Sequence, residues 1–466
     1  MKDYNVVVIG SGGAGLTAAF TAAGLGKKVA IIEKNLPGGE CTWSGCIPSK
    51  ALIHKAKQVH EAKEIAPIMK NMNMEIDKEL VMTSVRDIIQ SVYAEETPEK
   101  IKERGIDFYQ ACAKFVDKNT IKIEEKTITG DKFIIATGTK PIVIDYSMDE
   151  NIEILTNETI FKMKELPESM AIIGGGPIGI ELAQAFNRLG VNVHVLLRRD
   201  SILKKEDIHL SKMVKKILES EGVVFENNFN IEKLEKKENK ILIHGEHDKQ
   251  LETETIFSAI GRKVDLKDMF PETMKIKWSK KGIEVNNYMQ TAEENIYACG
   301  DIVGPYRFSH MAEYQGRIAG QNSSLPKVAW KKCKYDLIPW VTFTDPEFAR
   351  FGLTESQSQE THHHSHTYTY DYSKLDRAKT EGTEIGQMKI ITSGNGEIIG
   401  IHILGERSGE LLHELMLMKL YGKKLHKLQD MIHAYPTYSD SLRQISKEAY
   451  IQKLLNNPIV KLIKKN

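Results

Sequence analysis

Two short glycine-rich turns, GSGGAG at residues 10–15 and GGGPIG at residues 174–179, constrain this chain more than any other feature. Each follows a short apolar run, Tyr4–Ile9 and Met170–Ile173, and each opens into a helix-like segment. Strand, glycine turn and helix form the unit in which a backbone closes around a pyrophosphate and the helix N-terminus meets its charge. Gly10, Gly12 and Gly15 therefore mark one dinucleotide site, and Gly174, Gly176 and Gly179 a second. A tight turn that binds nothing is the alternative for the first turn taken alone. The first is completed by the strand KVAIIEK, where Glu33 stands about 20 residues on, the place of an acid that meets a ribose hydroxyl pair and repels a phosphorylated ribose. The second ends differently. VNVHVLL runs into Arg198 and Arg199, with Lys204 following, and cations at that strand end point to the 2′-phosphate of NADP(H) rather than to a solvated loop.

The stretch GGECTWSGCIPSK, residues 38–50, carries Cys41 and Cys46. On a regular helix their Cα atoms would lie roughly 8–9 Å apart, beyond the ~7 Å that a disulfide spans. Gly38, Gly39 and Gly45, with Pro37 ahead of them, allow Cys41 to sit in a turn or a distorted first turn leading into the helix. The pair reads as a catalytic disulfide beside a redox cofactor; two buried, unpaired thiols are the alternative. Five cysteines, an odd number, make no disulfide framework, and in a reducing compartment one close pair is more often catalytic or metal-binding than structural.

A length of 466 residues sets an expectation of about three domains. Lys and Arg total 64 against 63 Asp and Glu, a formal charge of +1, so no global field favours nucleic acid or an anionic membrane, and small-molecule partners are expected. No apolar run approaches the ~18 residues of a membrane span. The N-terminus enters a strand without a signal-peptide layout, which reads as cytoplasmic. Helical patterns cover KALIHKAKQVHEAKEIA and residues 81–104; residues 107–123 alternate like strands, and residues 131–141 read as an apolar strand breaking at Gly138, the exit from the first domain. Asp301 follows an apolar strand and Gly300, where a carboxylate holds a polyol hydroxyl or caps a helix. Beyond Trp330 come a strand at residues 367–372, a hairpin signalled by Asn395-Gly396, and terminal helices. His362, His363, His364 and His366 lack spaced partners and read as a solvated loop, so no metal site is expected.

With these residues together, nearly the whole chain resembles the flavoprotein disulfide reductases of the lipoamide dehydrogenase, glutathione reductase and mercuric reductase type. GSGGAG with Glu33, CTWSGCIPSK, ATG at residues 136–138, GGGPIGIE, ACGD ending at Asp301 and TDPEFARFGLTE fall in the family's order and spacing. The resemblance implies an α/β fold of two Rossmann-like dinucleotide-binding domains plus a C-terminal α+β dimerisation domain. The implied boundaries are 1–143 with 273–330 for FAD, 144–272 for the nicotinamide nucleotide and 331–466 for a homodimer interface. It also implies FAD contacts from Gly10, Gly12, Gly15, Glu33, Lys34, Gly38, Lys50, Ala113, Thr137, Gly138 and Asp301. NADPH contacts, with NADH as the alternative nucleotide, fall to Gly174, Gly176, Gly179, Arg198, Arg199, Lys204 and Gly261. Lys50 resembles the family lysine beside the flavin and Glu181 its partner carboxylate; as a bare sequence pair they read equally as unrelated surface charges. Electrons then pass from NADPH through FAD to a Cys41–Cys46 disulfide, with Cys46 facing flavin and Cys41 facing substrate.

The chain departs from the family in its last motif. Where lipoamide and glutathione reductases carry HPTxxE, this sequence reads HAYPTYSD. Tyr435 replaces the His and Asp440 the Glu, and His433 lies two residues away. Tyrosine, with a reference pKa near ~10, is a poor base at neutral pH. Mercuric reductases share the tyrosine but need a C-terminal cysteine pair, whereas the last cysteine here is Cys333. Trp43 is bulkier than the family's usual residue and is expected to narrow or reshape access to Cys41. The first reading is an NADPH-dependent flavoenzyme that reduces a metal ion, a quinone or an oxidant. A dihydrolipoamide dehydrogenase or other small-disulfide reductase is the second, with His433 or Asp440 serving proton transfer, and a slow-turnover flavin redox sensor the third.

Overall fold

Tyr4–Ile9 is apolar almost throughout, and five of its six residues are buried, as expected of a parallel strand covered on both faces. This strand, β1, lies inside a seven-stranded sheet. The computed structural model describes residues 2–69, 75–144, 146–362 and 364–463. The chain divides into two compact units, Met1–Gly174 with Arg188–His194 and Phe229–Lys334, and Gly175–Asn187 with Val195–Asn228 and Tyr335–Asn466.

In the first unit β1 is followed by α1 (Gly13–Gly24), β2 (Val29–Glu33), α2 (Gly39–Trp43), α3 (Cys46–Ile65), α4 (Lys78–Tyr93), α5 (Pro98–Glu103), β3 (Ile106–Gln110), β4 (Ala113–Asp117), β5 (Thr120–Ile123) and β6 (Lys126–Ile135). The sheet order is β3-β2-β1-β6-β5-β4, and the strand Ile296–Ala298 also pairs with β6. β1, β2, β3, β6 and Ile296–Ala298 run parallel, while β4 and β5 pair antiparallel at one edge. Ile32, Ile9, Ile135 and Ala298 stand in one register row. The residues that follow them, Glu33, Gly10, Ala136 and Cys299, therefore come together at the carboxyl edge, where open α/β sheets bind ligands.

The helical pattern at residues 81–104 is two helices, not one. Pro98 at the start of α5 and Thr97, whose side chain accepts from the Lys100 amide, begin a new helix after α4 has ended. Downstream, Ser169–Ile173 pairs in parallel with Thr255–Ser258, which pairs with Ile154–Leu155. Ile231–Lys237, Lys240–Gly245 and Lys249–Thr253 form an antiparallel meander. The helix Ser309–Ser324 packs closely on α1, because a Cβ at Gly316 or Gly320 would run into the Ala14 or Ala18 carbonyl.

The second unit holds an antiparallel sheet in the order Pro339–Thr342, Glu347–Gly352, Ile398–Gly405, Gln387–Thr392, His366–Asp371. Its apolar face joins Phe351, Ile390, Ile401 and Ile403 to Leu412 and Leu415 of the helix Ser408–Leu420 and Leu442 of the helix Asp440–Asn456. The alternate positions Arg350, His402 and Lys389 pair side by side across three strands. They are nevertheless buried, against Glu206, Asp207 and Glu355.

Candidate active site

The first glycine turn is built for close approach. Gly10 has φ +101°, and a Cβ there would strike the Ala136 carbonyl oxygen, while one at Gly15 would strike that of Gly10. The helix N-cap, Gly12, carries no side-chain cap, and no acid lies in the first turn of α1, so the end of the helix offers its amides and positive dipole end to an anion. Glu33 accepts from the Ser11 amide and hydroxyl at 2.8 and 3.1 Å, which sets its carboxylate beside the turn. Lys34 follows it, exposed. Thr137 and Gly138, the latter at φ +66°, leave the end of β6, and Ala113 opens β4.

The same turn touches the cysteine segment. Gly12 bridges to Gly38, and Gly39, at φ +61°, lies so close that a Cβ would sit 2.6 Å from the Gly12 Cα. Gly38, at φ +101°, and Gly39 take a left-handed path that other residues resist. Cys41 lies on the single helical turn α2, and Cys46 is the first residue of α3, with the chain broken at Ser44 and Gly45. That break, rather than a simple lead-in turn, makes room for the pair. The two side chains lie in hydrogen-bonding contact. This hydrogen bond, with burial, pushes the Cys41 thiol up, and Ser309 opposes the shift. Cys46 Sγ lies 3.1 Å from the Ser309 hydroxyl. Trp43 is committed elsewhere: its indole donates to the Pro37 carbonyl at 2.7 Å and its rings lie 4.8 Å from that of Tyr93.

A polar cluster that sequence reading missed closes the edge. Arg262 donates to the Thr139 hydroxyl at 2.8 Å, the Thr139 carbonyl at 2.6 Å and Asn157 at 3.2 Å, and pairs with Glu40 at 2.5 Å. Asn157 donates to Glu40 at 3.0 Å and to the Ser44 carbonyl at 3.3 Å. Burial pushes the Asp301 carboxyl up, against the charges of Arg262 and Arg307; it is no helix cap, standing in the turn after Ile296–Ala298. Adjacency to Cys41 and Gly261 was the only sequence signal for Glu40 and Arg262; Ser309 lies 263 residues from Cys46 and had none. Lys50, on α3, donates from Nζ to the neighbouring Ser49 hydroxyl at 3.4 Å. Gly174 (φ +115°) and Gly261 (φ +121°) follow the ends of the parallel strands Ser169–Ile173 and Thr255–Ser258, and a Cβ on Gly174 would lie 2.8 Å from the Ala259 carbonyl.

These features have counterparts in known proteins. The description "pyridine nucleotide-disulphide oxidoreductase" fits residues 4–316, and that of the family's dimerisation domain fits residues 338–445. This chain belongs to the pyridine nucleotide-disulphide oxidoreductases. It is 30% identical over 448 residues to a mercuric reductase of Staphylococcus aureus, spanning 95% of this chain and 81% of that protein. A dihydrolipoyl dehydrogenase of Buchnera aphidicola subsp. Acyrthosiphon pisum is 32% identical over 451 residues, 94% of each chain. Among solved structures, the HOCl-induced flavoprotein disulfide reductase RclA from Escherichia coli matches with a TM-score of 0.86 and 26% identity, over 95% of this chain and 99% of that one. The chain is therefore a flavoprotein oxidoreductase of a family that works with FAD and a pyridine nucleotide. The cradle at Gly10–Gly15, the Glu33 carboxylate beside it and the half-buried Asp301 fit such a dinucleotide.

The remaining expected residues lie in the second unit. Gly176, open around its Cα, precedes the helix Pro177–Arg188 that contains Gly179 and Glu181. Glu181 is buried and accepts from the Phe343 amide at 2.9 Å. Arg198, Arg199 and Lys204 are exposed beyond the strand Asn192–Leu197, while the neighbouring Asp200 is paired with Lys215 at 2.6 Å. Tyr435 is 70% exposed and donates to Asp376 at 3.0 Å, a contact that raises its pKa. His433 is turned inward on Glu414 at 3.0 Å. Asp440 accepts from Arg443 and Gln444. His363 lies outside the described residues; among those described, no three His, Cys, Asp or Glu side chains converge as metal ligands, and no helix is long and apolar enough to cross a membrane.

Proposed function

We propose that this enzyme draws electrons from NADPH and delivers them, through FAD and the Cys41–Cys46 pair, to a small acceptor: a metal ion, a quinone or an oxidant. The observation that carries the reading is the thiol pair held against the dinucleotide turn by Gly38–Gly39 and Gly12. FAD supplies the two-electron step between nicotinamide and sulfur. The chain's part is to bind and orient. Gly10, Gly12 and Gly15 seat the pyrophosphate, Glu33 takes the ribose, and Asp301 takes the polyol. Lys34, Gly38, Ala113, Thr137 and Gly138 complete the site, with Lys50 beside the flavin and Glu181 as its partner carboxylate. Gly174, Gly176, Gly179 and Gly261 serve the nicotinamide nucleotide, with Arg198, Arg199 and Lys204 on its 2′-phosphate. The domains follow the boundaries 1–143 with 273–330, 144–272 and 331–466, and the working form is a cytoplasmic homodimer.

Tyr435, held by Asp376, favours an acceptor that needs no strong base, as do relatives named for mercury reduction and for HOCl induction and Cu(II) complexes. The similarity to dihydrolipoyl dehydrogenases supports the second reading, a small-disulfide reductase in which His433 or Asp440 moves the proton. Steady-state NADPH oxidation with Cu(II), Hg(II), quinones, lipoamide and glutathione disulfide separates the two. The expected result is turnover on the first three and little on lipoamide. A lipoamide rate matching a dihydrolipoyl dehydrogenase overturns the first reading, and reduction of the flavin without turnover on any acceptor leaves the redox sensor.

A further inference from the structure

Glu40 immediately precedes Cys41 on α2, and its carboxylate is gripped from two sides. Arg262 pairs with one oxygen at 2.5 Å and Asn157 donates to the other at 3.0 Å. Asn157 also holds the Ser44 carbonyl, so the clamp fixes both the carboxylate and the break that separates the cysteines. The charges that act on Glu40 are those of Arg262, Asp301, Cys46 and Glu158. One cation is set against three groups that are or become negative. A carboxylate in that setting responds to the charge on sulfur, and sulfur to the charge on carboxylate.

We propose that Glu40 is the proton-holding residue of the cysteine pair: ionised while the sulfurs are bonded, and protonated when reduction leaves one of them as a thiolate. Reduction of the pair consumes NADPH and one proton. The nicotinamide is oxidised by loss of hydride, the S–S bond breaks, and the hydride's electron pair goes to the two sulfurs. Of the two protons, that of the hydride and one from solvent, both end on sulfur when the product is a dithiol. When one sulfur remains a thiolate, the second proton resides on Glu40. Burial lifts this carboxyl to about 7, against the pull of Arg262, so the exchange falls within the working pH range. The inference rests on the reading of Cys41 and Cys46 as the relay.

The test uses the FAD-loaded enzyme after reduction, with the rate of iodoacetamide alkylation at Cys41 and Cys46 followed by mass spectrometry from pH 5.5 to 8.5. In wild type and Glu40→Gln the rates should coincide at low pH, where both side chains are neutral. Above pH 7 the variant should react about threefold to tenfold faster, because ionised Glu40 suppresses the neighbouring thiolate. Asn157→Ser, which removes one donor to the carboxylate, should move the wild-type inflection to higher pH. A rate ratio constant across the range means that Glu40 only shapes the loop, and overturns the proposal. So does an Asn157→Ser inflection that stays in place, should Glu40→Gln fail to retain flavin. Failure of the relay reading is distinct: NADPH would then produce no new thiol at either cysteine in wild type, whatever the alkylation profile.

Discussion

His402 is fully buried at the middle of the second unit's polar row. Its Nε2–H donates to the Leu353 carbonyl at 2.9 Å, whereas its Nδ1 is buried with no partner. A second proton would have to sit on that Nδ1, near Arg350 and Lys389. Burial first, and then the Arg350 charge, hold its pKa down from 6.5 to about 4, against the Leu353 hydrogen bond and the charge of Asp207. The unfolded chain therefore binds this proton at pH 6.5 while the folded chain refuses it until about 4. Its contribution to stability is complete above pH 6.5 and is lost as pH falls toward about 4. At about 1.36 kcal/mol per tenfold in proton affinity, the interval is worth about 3 kcal/mol, most of it already spent at pH 4.5. The change His402→Gln keeps a donor for Leu353 and removes the titration. Urea unfolding of the FAD-loaded protein should show the variant gaining about 2.5 kcal/mol on wild type between pH 7 and 4.5. Parallel loss of stability in the two proteins over that range would refute the argument.

Two further outcomes are expected. Gly39→Ala forces a Cβ against Gly12 at a left-handed backbone position and should cost about 3 kcal/mol, read as a lower unfolding temperature and weakened FAD retention; a variant as stable and as yellow as wild type would contradict the packing described. Arg198→Glu should shift the kcat/KM preference from NADPH toward NADH by at least about tenfold, and unchanged discrimination would remove the phosphate site from Arg198.

Local chemistry was legible in the sequence, and contacts across long separations were not. The glycine turns, Glu33 and the strand that ends before Arg198 announce themselves within thirty or so residues, because a strand, a tight turn and a helix leave a fixed pattern. Cys41 and Cys46 announced a pair, and the spacing demanded an irregular path, which the break at Ser44–Gly45 supplies. The clamp of Arg262 and Asn157 on Glu40 joins three distant segments and has no local signature. The row of Arg350, His402 and Lys389 is likewise hidden: strand alternation tells which residues share a face, but not that Glu206 and Asp207 cover it. The division of residues 81–104 into two helices turned on Thr97-Pro98, a start signal inside a helical pattern.

The measurement that bears most directly on the central claim is anaerobic titration of the oxidised, FAD-loaded enzyme with one equivalent of NADPH, followed by alkylation and mass spectrometric counting of thiols. Two new thiols per chain are expected, at Cys41 and Cys46, and none in a protein with serine at both positions. Reduction of the flavin with no gain in thiol at either cysteine, or purified protein that holds no flavin, would contradict it.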